Sequence, residues 1–127
     1  MQKYLLPLIA VLAILAVTTY YLSSSDDRAY YEALSNFTYV DDVADEHKVF
    51  TRIDNPFSGD CEDFAFTLQL QIGGEVWAFT HNNDTNHAAL VLNGVVFDSL
   101  KKNTVALEDY SKKPLYKITF TGEVTAN

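Results

Sequence analysis

Hydrophobic positions divide the chain into a continuous apolar run near the start, then stretches with helical spacing, then stretches that alternate as strands do. Residues 4–22 carry no charge, and a helix of that length would roughly match a hydrocarbon core of about 30 Å. The run predicts a transmembrane helix. Lys3 precedes it, so we expect the N-terminus inside and the rest of the chain outside the cytoplasmic membrane. A cleaved signal peptide is the alternative, with Ser23 and Ser25 as small residues before the cut.

The clearest helical pattern begins at the only cysteine, Cys61. Apolar residues recur from it at helical spacing as far as Ile72, where Gly73-Gly74 supplies a stop. Asp60 is a suitable N-cap, and Asp63 completes an arrangement like a capping box. This pattern predicts a half-buried helix that starts at the thiol.

Other stretches predict one shorter helix and several strands. The helix is indicated by Tyr30, Tyr31, Leu34 and Phe37. The strand candidates cover residues 75–80, 87–92, 95–98 and 115–121. Asn93-Gly94 lies between the second and third of these and is a strong signal for a tight hairpin.

The length of the chain predicts a single domain after the N-terminal segment, and its charge excludes some classes of partner. We assign residues 1–25 to the anchor or signal peptide with a short linker, and residues 26–127 to one domain. Helix and strand patterns in that domain predict an α+β fold, with the cysteine-bearing helix on a small antiparallel sheet. The net charge of −8 argues against nucleic acid and anionic lipid as partners. A single cysteine excludes an intrachain disulfide.

The position of Cys61 suggests a nucleophile. Unpaired N–H groups and the helix dipole favour a thiolate at the first turn of a helix, whereas the three carboxylates beside Cys61 should oppose it by like-charge repulsion. A buried structural cysteine is the plainer interpretation of the same residue.

The predicted hairpin brings two further groups together. With Asn93-Gly94 as the turn, His87 and Asp98 are diagonal neighbours on one face, about 7–8 Å apart at Cα. A carboxylate there would hold one imidazole nitrogen and leave the other for a thiol, as in a nucleophile–His–Asp triad. The alternative is that His87 merely begins a strand and Asp98 merely ends one.

Three segments carry a family resemblance. Residues 59–65 (GDCEDFA), 87–91 (HAALV) and 96–100 (VFDSL) resemble the bacterial transglutaminase-like cysteine peptidases, over roughly residues 36–121. The resemblance implies a papain-like/transglutaminase-like core. It also implies that Cys61 is the nucleophile, His87 the general base and then acid, and Asp98 the residue that orients His87.

The same resemblance bears on metal and substrate. Some members are exported, calcium-dependent proteases, and Asp60 and Glu62 match the acids that such members need, which makes them candidate Ca²⁺ ligands. Structural capping is the alternative role for these acids. His47 is predicted to be a surface residue.

The sequence therefore predicts a membrane-tethered, exported cysteine hydrolase. We expect a peptidase that acts on a protein or peptide of the envelope or surface and needs no cofactor for the chemistry. Two alternatives stay open, an acyl transferase of the transglutaminase type and a non-catalytic interaction module on the same fold.

Overall fold

The computed structural model describes residues 24–41, 47–82 and 85–127. Within these residues no helix has the length and apolar character needed to cross a bilayer. The predicted span at residues 4–22 lies outside the described residues. The elements, in chain order, are α1 (Ser25–Asn36), β1 (Phe37–Tyr39), β2 (Val49–Phe50), β3 (Phe57–Gly59), α2 (Cys61–Ile72), β4 (Glu75–Thr80), β5 (Asn86–Leu92), β6 (Val95–Phe97), β7 (Val105–Ala106), a 3₁₀ turn (Leu107–Asp109), β8 (Pro114–Ile118) and β9 (Val124–Thr125).

Helix α1 starts at a serine cap. The Ser24 hydroxyl accepts hydrogen bonds from the backbone N–H groups of Asp26 and Asp27, and both acids complement the helix dipole in the first turn. On its inner face Tyr30 and Ala33 are fully buried. The helix predicted from this spacing is confirmed, except that Phe37 lies outside it and begins β1.

Helix α2 begins and ends where the sequence indicates. The Asp60 carboxylate accepts from the N–H of Asp63, while the Asp63 carboxylate accepts from the N–H of Asp60, which closes the capping box. At the other end Gly73 has φ of 82° and donates its N–H to the Gln69 carbonyl at 2.8 Å. A positive φ is costly for residues with a side chain, so glycine suits this stop.

The main sheet has five strands in the order β7-β6-β5-β4-β8, and every neighbouring pair is antiparallel. The hairpin between β5 and β6 has the predicted register, with Leu92 opposite Val95. Asn93 and Gly94 have φ of 51° and 74°, as a two-residue turn of this kind requires. Strand β5 starts one residue earlier than predicted, and β6 ends one residue earlier.

Two small parallel pairs flank the main sheet and were not predicted. Strand β1 pairs with β3, and β2 pairs with β9. Each strand has two or three residues, which is too short to produce an alternating pattern. The first pair sets Tyr39 opposite Gly59, beside the chain that enters α2.

Hydrophobic clusters cover both faces of the main sheet. One cluster lies between the sheet and the two helices, and α2 packs mainly on β5. Its larger members include Tyr30, Phe64, Leu68, Leu90 and Phe97. The second cluster, on the opposite face, contains Phe79, Ala89, Val96 and Tyr110. The predicted α+β class is confirmed, with the cysteine-bearing helix packed on an antiparallel sheet.

Candidate active site

Cys61 is the first residue of α2 and is partly buried. Its own N–H belongs to the first turn, which has no acceptor within the helix. The capping box on either side, made by Asp60 and Asp63, fixes the direction in which the chain enters the helix.

Gly59 permits the capping box because it has no side chain. A Cβ at this position would collide with the Asp63 carboxylate and lie 2.5 Å from the Cβ of Asp63. The bond from the Asp60 N–H to Asp63 Oδ2 therefore requires glycine two residues before the cysteine.

His87 and Asp98 form a buried pair. The imidazole Nε2 lies 2.6 Å from Asp98 Oδ1, and the two residues are 3% and 1% exposed. A carboxylate can only accept, so Nε2 carries the proton and Nδ1 is left as the basic nitrogen. The structure thus brings together the two residues that the predicted hairpin register joined.

Three donors hold the Asp98 carboxylate. Oδ1 accepts from His87 and from the N–H of Leu100 at 2.9 Å, while Oδ2 accepts from the Tyr110 hydroxyl at 2.6 Å. The Tyr30 hydroxyl reaches the Asp98 main-chain carbonyl at 2.8 Å. Burial alone would raise the pKa of Asp98, but the hydrogen bonds from His87, Tyr110 and Leu100 outweigh it and lower that pKa. Asp98 is therefore ionised at neutral pH.

The Cys61 thiol lies against the histidine strand. The N–H of Ala88, the residue after His87, donates to Sγ at 3.4 Å. Burial is the largest influence on the thiol and raises its pKa to about 11, with Asp60 and Glu62 adding to the rise and the N–H groups of Ala88 and Glu62 opposing it. The expectation that the helix start would favour a thiolate is therefore wrong for the resting site, because burial and the neighbouring acids dominate.

One cleft of about 610 Å³ contains both Cys61 and His87. Three carboxylates, Asp41, Asp60 and Glu62, line the same cleft. The remaining lining residues are Tyr39, His81, Asn82, Thr85, Asn86, Leu100 and Tyr116. A separate apolar cavity of about 420 Å³, lined by Trp77, Phe79 and Val91 among others, includes none of the candidate catalytic residues.

A second histidine lies beside His87. The rings of His81 and His87 are 5.6 Å apart, and the Lys112 ammonium lies 2.8 Å from His81 Nδ1, which accepts its hydrogen bond. His81 is thus held by a lysine, whereas His87 is held by a carboxylate.

The candidate metal ligands Asp60 and Glu62 lie close to a histidine, His47. Glu62, which lines the cleft, contacts His47, with His47 Nε2 2.9 Å from Glu62 Oε2. His47, Asp60 and Asp63 each offer one ligand atom, all within 4.8 Å of one another. Asp60 and Asp63 already accept backbone N–H bonds in the capping box. A mixed imidazole and carboxylate set suits a transition metal better than Ca²⁺, which prefers six or more oxygens.

Several contributors to the site have no signal in the sequence pattern. The Tyr110 hydroxyl reaches the Asp98 carboxylate from 12 residues further along the chain. The Ala88 N–H is a backbone group, so no side chain marks it.

Comparison of the chain with protein-family models and with curated proteins gives no match. The structure itself shows the α+β fold class. The geometry of the cleft is the basis for inferring a function.

Proposed function

We propose that the domain is a cysteine hydrolase, most simply a peptidase, in which Cys61, His87 and Asp98 act as a triad. The observation that carries the proposal is the buried 2.6 Å bond between His87 and Asp98 at a cleft that also contains the thiol. A histidine with a purely structural role could form this hydrogen bond anywhere in the core. It would not need to line the same cleft as the only cysteine of the chain.

The attack step uses His87 as general base. With a pKa of about 11, roughly one thiol in 10⁴ is ionised at pH 7, so the proton must leave during the attack. His87 Nδ1 takes the proton from Sγ as the sulfur bonds to the substrate carbonyl carbon. Asp98 stabilises the imidazolium that forms. Ala88 N–H helps because it donates to the sulfur as negative charge develops there.

The remaining steps return the enzyme to its starting state. The imidazolium passes its proton to the leaving amine as the C–N bond breaks, which leaves a thioester on Cys61. Water then attacks the thioester, giving one proton to Nδ1, and the departing sulfur recovers that proton. The N–H of Cys61 is our candidate for one oxyanion donor, since the first turn gives it no helical partner.

Cleft composition favours substrates with a positive charge near the scissile bond. Asp41, Asp60 and Glu62 contribute negative charge, while Tyr39 and Tyr116 are 45% and 56% exposed at the same cleft. Carboxylates and aromatic faces both attract lysine and arginine side chains. We therefore propose a protein or peptide substrate with a basic residue next to the bond that is cut.

The finer fold and the location are part of the same proposal. A helix that begins with the nucleophile and packs on an antiparallel sheet carrying His87 supports a papain-like or transglutaminase-like core. The apolar run at residues 4–22 supports a tethered domain outside the cytoplasmic membrane that meets envelope or surface proteins. Protease added to intact spheroplasts should remove the domain; digestion only after lysis would contradict this location.

A non-catalytic interaction module is the second candidate. The high pKa of Cys61 favours it, because a resting thiol that is buried and neutral is also what a structural cysteine shows. Transfer of the acyl group to an amine, in place of water, is a third outcome of the same chemistry.

Acylation by p-nitrophenyl acetate separates these candidates. The hydrolase predicts release of p-nitrophenolate and a mass increase of one acetyl group on Cys61, followed by slow loss of that group to water. Cys61→Ala should show neither. A wild-type protein that is never acylated would favour the interaction module, and faster loss of the acetyl group with added amine would indicate a transferase.

A further inference from the structure

The phenol of Tyr110 is held rigidly where it meets Asp98. Tyr110 follows the 3₁₀ turn, is 8% exposed, and packs its ring on Phe79 with centroids 4.9 Å apart. The turn is fastened to the β5–β6 hairpin by the N–H of Leu107, which donates to the Gly94 carbonyl at 2.8 Å. These contacts fix the position of the Tyr110 ring and therefore of its hydroxyl oxygen.

Tyr110 and His87 bind different oxygens of the Asp98 carboxylate. His87 and the N–H of Leu100 both donate to Oδ1, whereas among the described residues only Tyr110 donates to Oδ2, at 2.6 Å. Donors on both oxygens fix the plane of the carboxylate. Without the phenol, a small rotation of the carboxylate would move Oδ1 out of line with the imidazole N–H.

We propose that Tyr110 is a positioning residue that fixes the Asp98 carboxylate and, through it, His87, an inference that rests on the hydrolase function proposed above. Its hydroxyl also contributes to the lowered pKa of Asp98, since it stabilises the ionised form. Tyr110 is not among the described residues that line the cleft, so its effect on substrate should be indirect.

Tyr30 provides a matched control. Its hydroxyl also bonds to Asp98, but to the main-chain carbonyl at 2.8 Å, and it lies 2.9 Å from the Lys101 carbonyl. Tyr30→Phe and Tyr110→Phe each remove one buried hydroxyl from the same neighbourhood. Only Tyr110→Phe removes a donor from the carboxylate.

The experiment compares both variants with the wild-type full chain. One measurement is the rate of Cys61 acetylation by p-nitrophenyl acetate, and the other is the titration midpoint of the Asp98 carboxyl by carbon NMR. Tyr110→Phe should lower the maximal rate roughly 10- to 100-fold, the range expected for a lost hydrogen bond to a charged group, with KM unchanged. It should also raise the Asp98 midpoint. Tyr30→Phe leaves all three donors of the carboxylate in place, so it should lower the rate less than Tyr110→Phe does and leave the Asp98 midpoint where it is.

An Asp98 midpoint in Tyr110→Phe equal to the wild-type midpoint would overturn the proposal, as would equal losses of rate in the two variants. If wild-type protein is not acetylated, the hydrolase function fails, while the midpoint still decides whether Tyr110 holds the carboxylate. Should Tyr110→Phe not fold, the wild-type protein supplies the test. Its Tyr110 hydroxyl proton should exchange slowly and shift when Asp98 is protonated; rapid exchange would overturn the proposal.

Discussion

The N–H of Ala88 donates to the sulfur of Cys61 at 3.4 Å, so the start of α2 and the strand that carries His87 meet one residue away from the imidazole. Side chains alternate along β5, and His87 therefore lies on the opposite face from Ala88. Cys61 and His87 nevertheless line one cleft, because both lie at the end of the sheet where β5 begins. The site therefore lies at the end of the central strand, where both faces of the sheet are within reach.

The Cys61 thiol should react with iodoacetamide only at high pH. Alkylation by iodoacetamide needs the thiolate, and a raised pKa keeps the thiol protonated to high pH, so the midpoint should lie near 11 and not at the ordinary value of about 8.5. Glu62→Gln removes a negative charge that raises this pKa and should move the midpoint down. Asp54→Asn, which alters an exposed acid paired with Arg52, is the control and should have no effect. A wild-type midpoint below 8.5 would indicate a preformed thiolate and contradict the general-base step.

Gly59→Ala should destabilise the domain by about 2 kcal/mol or more. The new Cβ displaces the Asp63 carboxylate and breaks the capping box, and a lost cap alone costs about 1 kcal/mol. Urea unfolding measures the change. Gly94→Ala is the comparison, because its Cβ would meet nothing within 4 Å and only its φ of 74° opposes the change, which costs about 1 kcal/mol. A smaller loss for Gly59→Ala than for Gly94→Ala would mean that the close approach is unimportant.

Substrate charge should matter at the cleft. Peptides with lysine or arginine beside the scissile bond should give kcat/KM at least tenfold above matched glutamate peptides, and added salt should reduce the difference. Asp41→Asn should lower the preference, since this exposed acid lines the cleft. Equal kcat/KM values for the two peptide classes would remove the acids from substrate selection.

Calcium binding should appear as thermal stabilisation. If Asp60 and Glu62 contribute to a Ca²⁺ site, free Ca²⁺ at 100 times its Kd stabilises the folded state by about 2.7 kcal/mol, or about 10 °C in Tm for a domain of this size. Asp60→Asn and Glu62→Gln should reduce the shift. An unchanged Tm at millimolar Ca²⁺ would leave these acids as helix cap and rim charge, and a shift with Zn²⁺ or Mn²⁺ alone would favour the group His47, Asp60 and Asp63.

The sequence predicted the elements that have strong local signals. The cap at Asp60, the stop at Gly73 and the Asn93-Gly94 turn are each decided within a few residues, and the turn fixes the register that joins His87 to Asp98. The parallel pair β1–β3 and the hydroxyl of Tyr110 depend on contacts between distant segments, which no local pattern encodes. Burial of the thiol is likewise a tertiary property, and for that reason the helix start alone gave the wrong direction for its pKa.

The most direct test of the triad compares the two histidines of the cleft. His87→Ala should abolish acylation of Cys61 by p-nitrophenyl acetate as fully as Cys61→Ala, and the double variant should be no worse, because the two residues act as a unit. His81→Ala should retain activity within about tenfold, since Lys112 and not Asp98 holds that ring. Asp98→Asn should lower the rate by about 10⁴, by favouring the wrong imidazole tautomer. Full activity in His87→Ala or in Asp98→Asn would contradict the triad.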